Sequence, residues 1–510
     1  MEKRLRIDIL LVACILFVVL AGIFTLYTQE SVTDDSSGKW IKQAVFFAIG
    51  LIMMFAIRKL NYNLLASYAL PIYAFGIFLL LITLIPGIGT RVKGAQSWIR
   101  FGEYGFQTSE VAKLATIILL ARYLELKERE LDRIPSLLIP FGIAVLPMIL
   151  IVVQPDFGGA FSFAPVLMSM LFIAGADVYH IGSVLVFFGV SFSIPLYLEY
   201  YKITLVTPLL EHLAELQKTD LIPAVRILQY DIWKFLDGGI IPDTVSETDL
   251  PYLRNVLGNE NLIESLRDAA EAVRYESGGF ILLVLQNINL LLILGLLLAL
   301  VALALFVVRV TQGTSMEHLR RYYIPVGVLG ISLLAAVTVY TFVPFRPHQV
   351  ARVTAFVNPD QFPRDLAYQI RASKAAIGSG QLTGRGFFEG DMTMGHVPLV
   401  PESSTDFIFT SWSERTGFLG SVFLLLALFA IPLRGLLISF EARDRFGSLL
   451  AAGITFLLFY HMALNTGIAL GLLPVTGLPL SFMSYGGSHL LTCMMAAGIL
   501  LSIYRRRFAN

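Results

Sequence analysis

Two carboxylates four residues apart, Glu402 and Asp406, stand where a long polar segment gives way to an apolar run: Pro401-Glu402-Ser403-Ser404-Thr405-Asp406-Phe407-Ile408-Phe409. Ionisable groups at the edge of a membrane span are costly unless they serve a partner or a reaction. Asp406 has two compatible readings. Thr405 or Asp406 can cap the following helix by accepting from its first free N–H groups, where an anion also suits the helix dipole. A carboxylate set beside apolar residues also suits a general base. If the helix starts early, Glu402 and Asp406 share a face. The two could then act as acid and base or hold a divalent cation, Mg or Mn. In the alternative, Glu402 pairs with a loop arginine.

The segment 345–406 also carries Arg352, Arg371 and Lys374, a basic set that suits an anion. Arg favours bidentate phosphate contacts and Lys acts as a point charge; the plain alternative is a set of solvated loop charges. Gly378-Ser379-Gly380 and Gly384-Arg385-Gly386 supply loop freedom or a backbone anion nest. Elsewhere, Glu110 and Lys113 lie three residues apart within an apolar run, where mutual pairing is the cheapest way to keep both charged. Asp156, in Gln154-Pro155-Asp156-Phe157-Gly158-Gly159, can cap the helix that follows the Pro break. Ser484-Tyr485-Gly486-Gly487-Ser488 has a similar character before the last apolar run.

These residues need a scaffold, and composition says which. Of 510 residues, 56% are hydrophobic and 15% charged, against about 25% charged in soluble domains. The chain reads as a polytopic, all-α membrane protein. Its net charge of +1 argues against a nucleic-acid partner. Cys14 and Cys493 both fall in apolar runs, so no disulfide framework is expected. A span needs about 20 mostly apolar residues. Candidates are 7–27, 41–58, 65–86, 107–124, 135–153, 158–175, 179–199, 280–308, 323–344, 407–434, 447–470 and 486–505. The first reads as an uncleaved span behind a basic N-terminus. Lys and Arg in the short loops put both termini on the cytoplasmic side.

That topology leaves three long segments outside: 87–106, 201–279 and 345–406. The second carries 13 Asp/Glu against 7 Lys/Arg, a balance of −6. Within it, Leu262, Ile263, Leu266, Ala269, Ala270 and Val273 recur at helical spacing, and Leu221 to Leu236 is a second amphipathic stretch. A small helical cap is expected. The chain divides into N-terminal spans (1–200), the cap (201–279), two further spans (280–344), an outer loop (345–406) and C-terminal spans (407–510).

Six ordered blocks together resemble the SEDS family of cell-wall polymerases, typified by RodA and FtsW. They are Gly94-Ala95-Gln96-Ser97-Trp98, then Gln107 to Lys113, Gln154 to Gly159, Tyr368-Gln369 with Ala376 to Gly380, Pro401 to Phe409, and Asn465-Thr466-Gly467 through Leu473 to Pro479 to Ser488. The resemblance covers nearly the whole chain except about 201–322. It implies a core of about ten spans, to which this chain adds two, and the short tails look more like RodA than FtsW. It implies a glycosyltransferase that polymerises lipid II into peptidoglycan strands at the outer face of the cytoplasmic membrane, for cell elongation. It implies a lipid environment, an undecaprenyl-pyrophosphate-linked glycan and a class B penicillin-binding protein, a transpeptidase, as partner.

Residue by residue, the essential aspartate of the family falls on Asp406, and its glutamate and lysine fall on Glu110 and Lys113. Trp98, Asp156, Gln369, Glu402, Ser484 and Ser488 stand in matching blocks and are expected to bind substrate or support the site, with Arg352, Arg371 and Lys374 on the pyrophosphate. The chain departs from the family at Ser97, Gly105, Thr108, Ser404 and Arg415, the last replacing the second acid of a Glu-Glu pair. The rival function is a lipid-linked precursor flippase or transporter, which broken helices and intramembrane charges also suit.

Overall fold

The computed structural model describes residues 7–33, 38–92, 95–101, 104–128, 134–154, 156–228, 232, 235–236, 245, 249–277, 285, 287–312, 319–342, 356, 366–389, 392–393 and 399–507. Arg352 lies outside them. The chain forms two compact units, residues 1–181 with 364–510, and residues 182–363.

The first unit opens with α1 (Ile9–Thr33) and α2 (Lys39–Lys59), followed by a short α3 (Asn63–Ser67) and α4 (Ala69–Leu84). Asp8 starts α1, its Oδ1 accepting from Leu11 N at 3.0 Å. After α4 comes a three-stranded antiparallel sheet, β1 (Gly89–Val92), β2 (Ala95–Phe101) and β3 (Tyr104–Gln107), in that spatial order. The sheet adds a β element that hydropathy alone does not reveal. It leads directly into α5 (Thr108–Leu126), then α6 (Ile134–Val153), α7 (Phe157–Phe161) and α8 (Phe163–Ala174), which stops at Gly175 in the left-handed region.

The long helix α9 (Val178–Thr204) enters the second unit. There α10 (Val206–Glu215), α11 (Ile222–Leu228), α12 (Leu250–Gly258) and α13 (Glu260–Ser277) surround a small apolar core of Leu209, Leu213, Val225, Phe235, Leu253 and Leu266. Leu266, Ala269, Ala270 and Val273 form the buried face of α13, while Leu262 and Ile263 are partly covered. Helices α14 (Ile288–Gln312) and α15 (Arg320–Phe342) follow as a tightly packed pair. A Cβ placed on Gly330 would lie 2.7 Å from Ala299 N, so only glycine lets these backbones approach.

The chain returns to the first unit with α16 (Leu366–Ser379), α17 (Ile408–Phe440), α18 (Arg445–Ala469) and α19 (Gly487–Arg506). Among the described residues, nine helices are long and apolar enough to cross a membrane: α1, α2, α6, α9, α14, α15, α17, α18 and α19. Helix α4 and the α7–α8 stretch are shorter and apolar. Helix α5, with Glu110 and Lys113, is less apolar. The protein is a multi-pass helical membrane protein.

Helices α5, α18 and α19 are the buried centre of the first unit, with most of their residues covered. By contrast, Ile52, Leu70 and Leu138 stand largely exposed on α2, α4 and α6, as lipid-facing residues do. Small residues set the spacing between helices: Gly50 of α2 lies on Met494, and Gly435 of α17 on Thr455 of α18.

Candidate active site at the Asp406 turn

Helix α17 begins at Ile408, and residues 401–407 before it form a run of turns. Two sequence expectations change as a result. The N-cap position falls on Phe407, which makes no side-chain capping bond, rather than on Thr405 or Asp406. Glu402 and Asp406 do not share a helical face, because the helix starts after both. Glu402 instead sits in the left-handed region, φ 56°, and its carbonyl accepts from both Thr405 N at 3.1 Å and Phe407 N at 3.2 Å. Its exposed carboxylate takes the Thr405 hydroxyl at 3.0 Å. This tight wrap folds the carbonyls of 403–406 toward the protein.

Each of those four carbonyls meets a different donor. Ser403 O accepts from Gln29 Nε2 of α1 at 3.4 Å and from Ser411 Oγ at 3.2 Å. Ser404 O accepts from Tyr485 N at 3.0 Å. Thr405 O accepts from Ser484 Oγ at 2.6 Å. Asp406 O accepts from Asn465 Nδ2 of α18 at 2.8 Å. Ser484 is itself fixed: its Oγ accepts from Leu480 N at 2.8 Å and its carbonyl from Gln43 Nε2 of α2 at 3.0 Å. The Asp406 carboxylate is half-buried and faces Gly477, where a Cβ would lie 3.7 Å from Oδ2.

One basic side chain of α16, Lys374, reaches the loop that carries Gly477. Arg371 and Lys374 are exposed on that helix, one turn apart, and Gln369 is half-buried. Lys374 lies across Gly471, close enough that any Cβ there would displace it. Lys374 at Gly471 and Asp406 at Gly477 thus border one stretch of chain. On the inner face of α16, Ser373 Oγ meets Thr410 Oγ1 at 2.6 Å and donates to Ala469 O at 2.8 Å, tying α16 to α17 and α18.

The glycine-rich segment 378–386 does a different job from an anion nest. Helix α17 breaks at Gly417, φ 65° and ψ −162°. The segment fills the break: Phe418 N donates to Gln381 O at 2.8 Å and Leu419 N to Leu382 O at 3.1 Å, while Arg385 N and Gly386 N donate to the Glu414 and Arg415 carbonyls at 3.1 Å each. A Cβ on Gly380 would sit 2.4 Å from Ser413 O. The glycines are there for close approach.

A second polar cluster lies in the buried centre. Glu110 takes Lys113 Nζ on Oε1 at 2.7 Å and His489 Nδ1 on Oε2 at 3.1 Å. Lys113 Nζ also lies 3.4 Å from His461 Nε2. The two imidazoles stack at 5.2 Å. The i, i+3 spacing of Glu110 and Lys113 is visible in sequence; their histidine partners, more than 340 positions away, are not.

The outer sheet connects to this region. Trp98 pairs across the sheet with Gln107 and Thr90, and its ring covers Gly105, where a Cβ would lie 2.9 Å away. The absence of a longer side chain at Gly105 therefore makes room for Trp98. Gln107 Nε2 donates to Asp156 Oδ2 at 3.2 Å. Asp156 is the N-cap of α7, its Oδ1 accepting from Gly159 N at 2.9 Å. Burial pushes its carboxyl above the ordinary aspartate range, against the opposing pull of the Gly159 N–H and the Lys113 charge. Ser488 is buried, and its hydroxyl meets no hydrogen-bond partner among the described residues.

Arg415, one of the five departures from the family pattern, is fully buried and donates from Nη1 to Thr25 O at 2.8 Å and Thr28 Oγ1 at 2.7 Å. It ties α17 to α1. The adjacent Glu414 accepts from Met392 N and Thr393 N at 2.9 and 3.0 Å. Among the described residues no group of three His, Cys, Asp or Glu side chains is placed to hold a metal ion.

Sequence reading missed Gln29, Gln43, His461 and His489, and placed Asn465 in a matching block without a partner. The one available signal was a polar residue inside an apolar run, which marks a position worth explaining but names no partner.

The chain matches the FtsW/RodA/SpoVE family model, described as a cell cycle protein, over residues 4–222 and 259–508. The unmatched stretch is shorter than the 201–322 gap expected from motifs. It is 29% identical over 510 residues to peptidoglycan glycosyltransferase RodA of Treponema pallidum (strain Nichols), with 98% of each chain covered. Its fold is similar to that of a chain from a peptidoglycan synthase complex described as coordinating polymerization and crosslinking, at TM-score 0.58 and 20% identity over 99% of each chain. It is also similar to RodA of Thermus thermophilus, at TM-score 0.52 and 18% identity over 100% of each chain. With the family model covering most of its length, this chain belongs to the FtsW/RodA/SpoVE family.

Proposed function

We infer that this chain is a peptidoglycan glycosyltransferase that polymerises lipid II into β-1,4 glycan strands during cell elongation, with Asp406 as its general base. The relative from Treponema pallidum is named a peptidoglycan glycosyltransferase, which supports the activity class. The observation that carries the residue assignment is the anchoring of four consecutive carbonyls, Ser403 to Asp406, by five donors from Gln29, Ser411, Tyr485, Ser484 and Asn465. Such a turn holds one carboxylate in one place, which is what proton abstraction requires.

In this mechanism the growing glycan is the donor, its terminal MurNAc C1 joined by an α bond to undecaprenyl pyrophosphate. Asp406 takes the proton from the GlcNAc 4-hydroxyl of incoming lipid II. The freed oxygen attacks C1 from the opposite face. The C1–O bond to pyrophosphate breaks, its electron pair leaves with the pyrophosphate, and the new linkage is β. Arg371 and Lys374, with Arg352, stabilise the charge on the leaving group. Lys374 supports this role through its position over Gly471, in the same loop that faces Asp406.

The enzyme works in the cytoplasmic membrane with both termini inside and its chemistry outside. A class B penicillin-binding protein is its partner, crosslinking the strands it makes; the complex to which its fold is similar combines polymerization and crosslinking.

The test is polymerisation by purified full-length protein supplied with lipid II, with and without a cognate transpeptidase, resolved by glycan length. Wild type should give a ladder. Asp406→Asn should remove it, by about 100-fold or more in rate, from protein that remains folded. A full ladder from Asp406→Asn sinks the base assignment. Lipid II translocation without any ladder would favour a flippase.

A further inference from the structure

We propose that Asn465 is a positioning residue for Asp406, holding its carboxylate at the angle from which it takes a proton. This inference rests on Asp406 being the base.

Asn465 is fully buried on α18. Its Nδ2 donates twice, to Asp406 O at 2.8 Å and to Leu478 O at 2.9 Å. Both amide hydrogens are thereby used, one on each of two loops that are distant in sequence. The orientation of the amide follows from these partners: turned over, its oxygen would face two carbonyl oxygens. The other donors on the turn hold residues 403, 404 and 405. Asn465 alone among them holds the carbonyl of the aspartate itself, two residues before the helix begins.

The second carbonyl matters as much as the first. Leu478 follows Gly477, the residue that the Asp406 carboxylate faces. Gly477 has φ +75° and no Cβ, so this part of the loop can lie flat beneath the carboxylate. One side chain therefore fixes both the aspartate and the floor of its site. A shift of the Asn465 amide would move the two relative to each other.

The two donated bonds form a bridge of fixed length between the two loops.

The experiment compares Asn465→Ala, Asn465→Asp and Asp406→Ala with wild type as full-length proteins. It measures kcat and KM for lipid II polymerisation, together with thermal unfolding. Asn465→Asp has the shape of the native side chain but cannot donate from either oxygen when ionised. The expected result is a fall in kcat of about 10- to 100-fold with KM nearly unchanged and melting close to wild type, since misplacing a reacting group by about 1 Å costs on this scale. A purely structural residue would instead lower melting temperature and the active fraction, leaving the kcat of folded molecules intact.

A kcat within about twofold of wild type in either folded variant overturns the proposal. So does failure of both variants to fold, which would make the residue structural. Asp406→Ala separates the two claims. Polymerisation that survives in it sinks the base reading itself. Loss in Asp406→Ala with full kcat in Asn465→Ala sinks only the positioning role.

Discussion

Glu110 accepts from His489 Nδ1 at 3.1 Å, across 379 positions of sequence and from one buried helix to another. With Lys113 on its other oxygen at 2.7 Å, the carboxylate joins α5 to α19. Lys113 in turn lies beside His461 of α18. The three central helices are thus tied by one cluster of charged and imidazole side chains. Charges at this depth are tolerable only together.

Removing one member should therefore harm more than removing two. Glu110→Met leaves Lys113 buried without its counter-charge and should cost about 3–5 kcal/mol of stability. Glu110→Met with Lys113→Met removes both charges and should cost less than the single change. A double-mutant cycle by thermal unfolding in detergent checks this. Additive losses would show that the two side chains do not act as a pair.

The break in α17 depends on Gly417. Its φ of 65° with ψ of −162° is a conformation left almost wholly to glycine, and a Cβ there would lie 2.3 Å from Gly384 N. Gly417→Ala should destabilise by about 3 kcal/mol or more, from backbone strain plus the lost fit of the 380–386 segment. Faster proteolysis at Arg385, alongside a lower melting temperature, is the expected signature. Unchanged melting would mean that the break tolerates a side chain.

In the second unit, Gly330→Leu should separate α14 from α15, because a Cβ already meets Ala299 N at 2.7 Å. A loss of about 1–3 kcal/mol is expected, the usual range for overpacking. The neighbouring Ile331→Leu is the control, since Ile331 is 55% exposed on the lipid-facing side. Equal effects from both changes would argue against glycine-mediated packing.

Asp156 gives a pH-dependent prediction. Burial raises its carboxyl pKa in the folded protein. The folded state then holds the proton more tightly than the unfolded chain, whose aspartates titrate near about 3.9. The resulting stability is fully present below that unfolded pKa and is lost as pH rises through the raised folded pKa. Asp156→Asn keeps an oxygen for the Gly159 N–H and cannot ionise. Its melting temperature relative to wild type should therefore increase from pH 4 to pH 7. A difference that does not vary with pH would contradict the raised carboxyl.

The membrane class and most of the apolar helical segments could be read from the chain alone. Apolar runs long enough to span a bilayer announce themselves because a helix satisfies its own backbone in lipid. The Glu110–Lys113 pair was equally legible, since three residues along a helix return to the same face. The turn around Asp406 was not. Glu402 and Asp406 had the spacing of helical neighbours, yet the wrap at Glu402 delays α17 until Ile408.

Tertiary structure alone decided what holds that turn. Gln29, Asn465, Ser484 and Tyr485 reach it from α1, from α18 and from the loop before α19. It likewise decided that the glycines of 378–386 fill a helix break and that two histidines complete the buried charge cluster. Local periodicity records which face of an element is apolar. It carries no information about which distant carbonyl a buried amide will meet, because that depends on how separate helices pack, and packing is set by contacts between residues hundreds of positions apart.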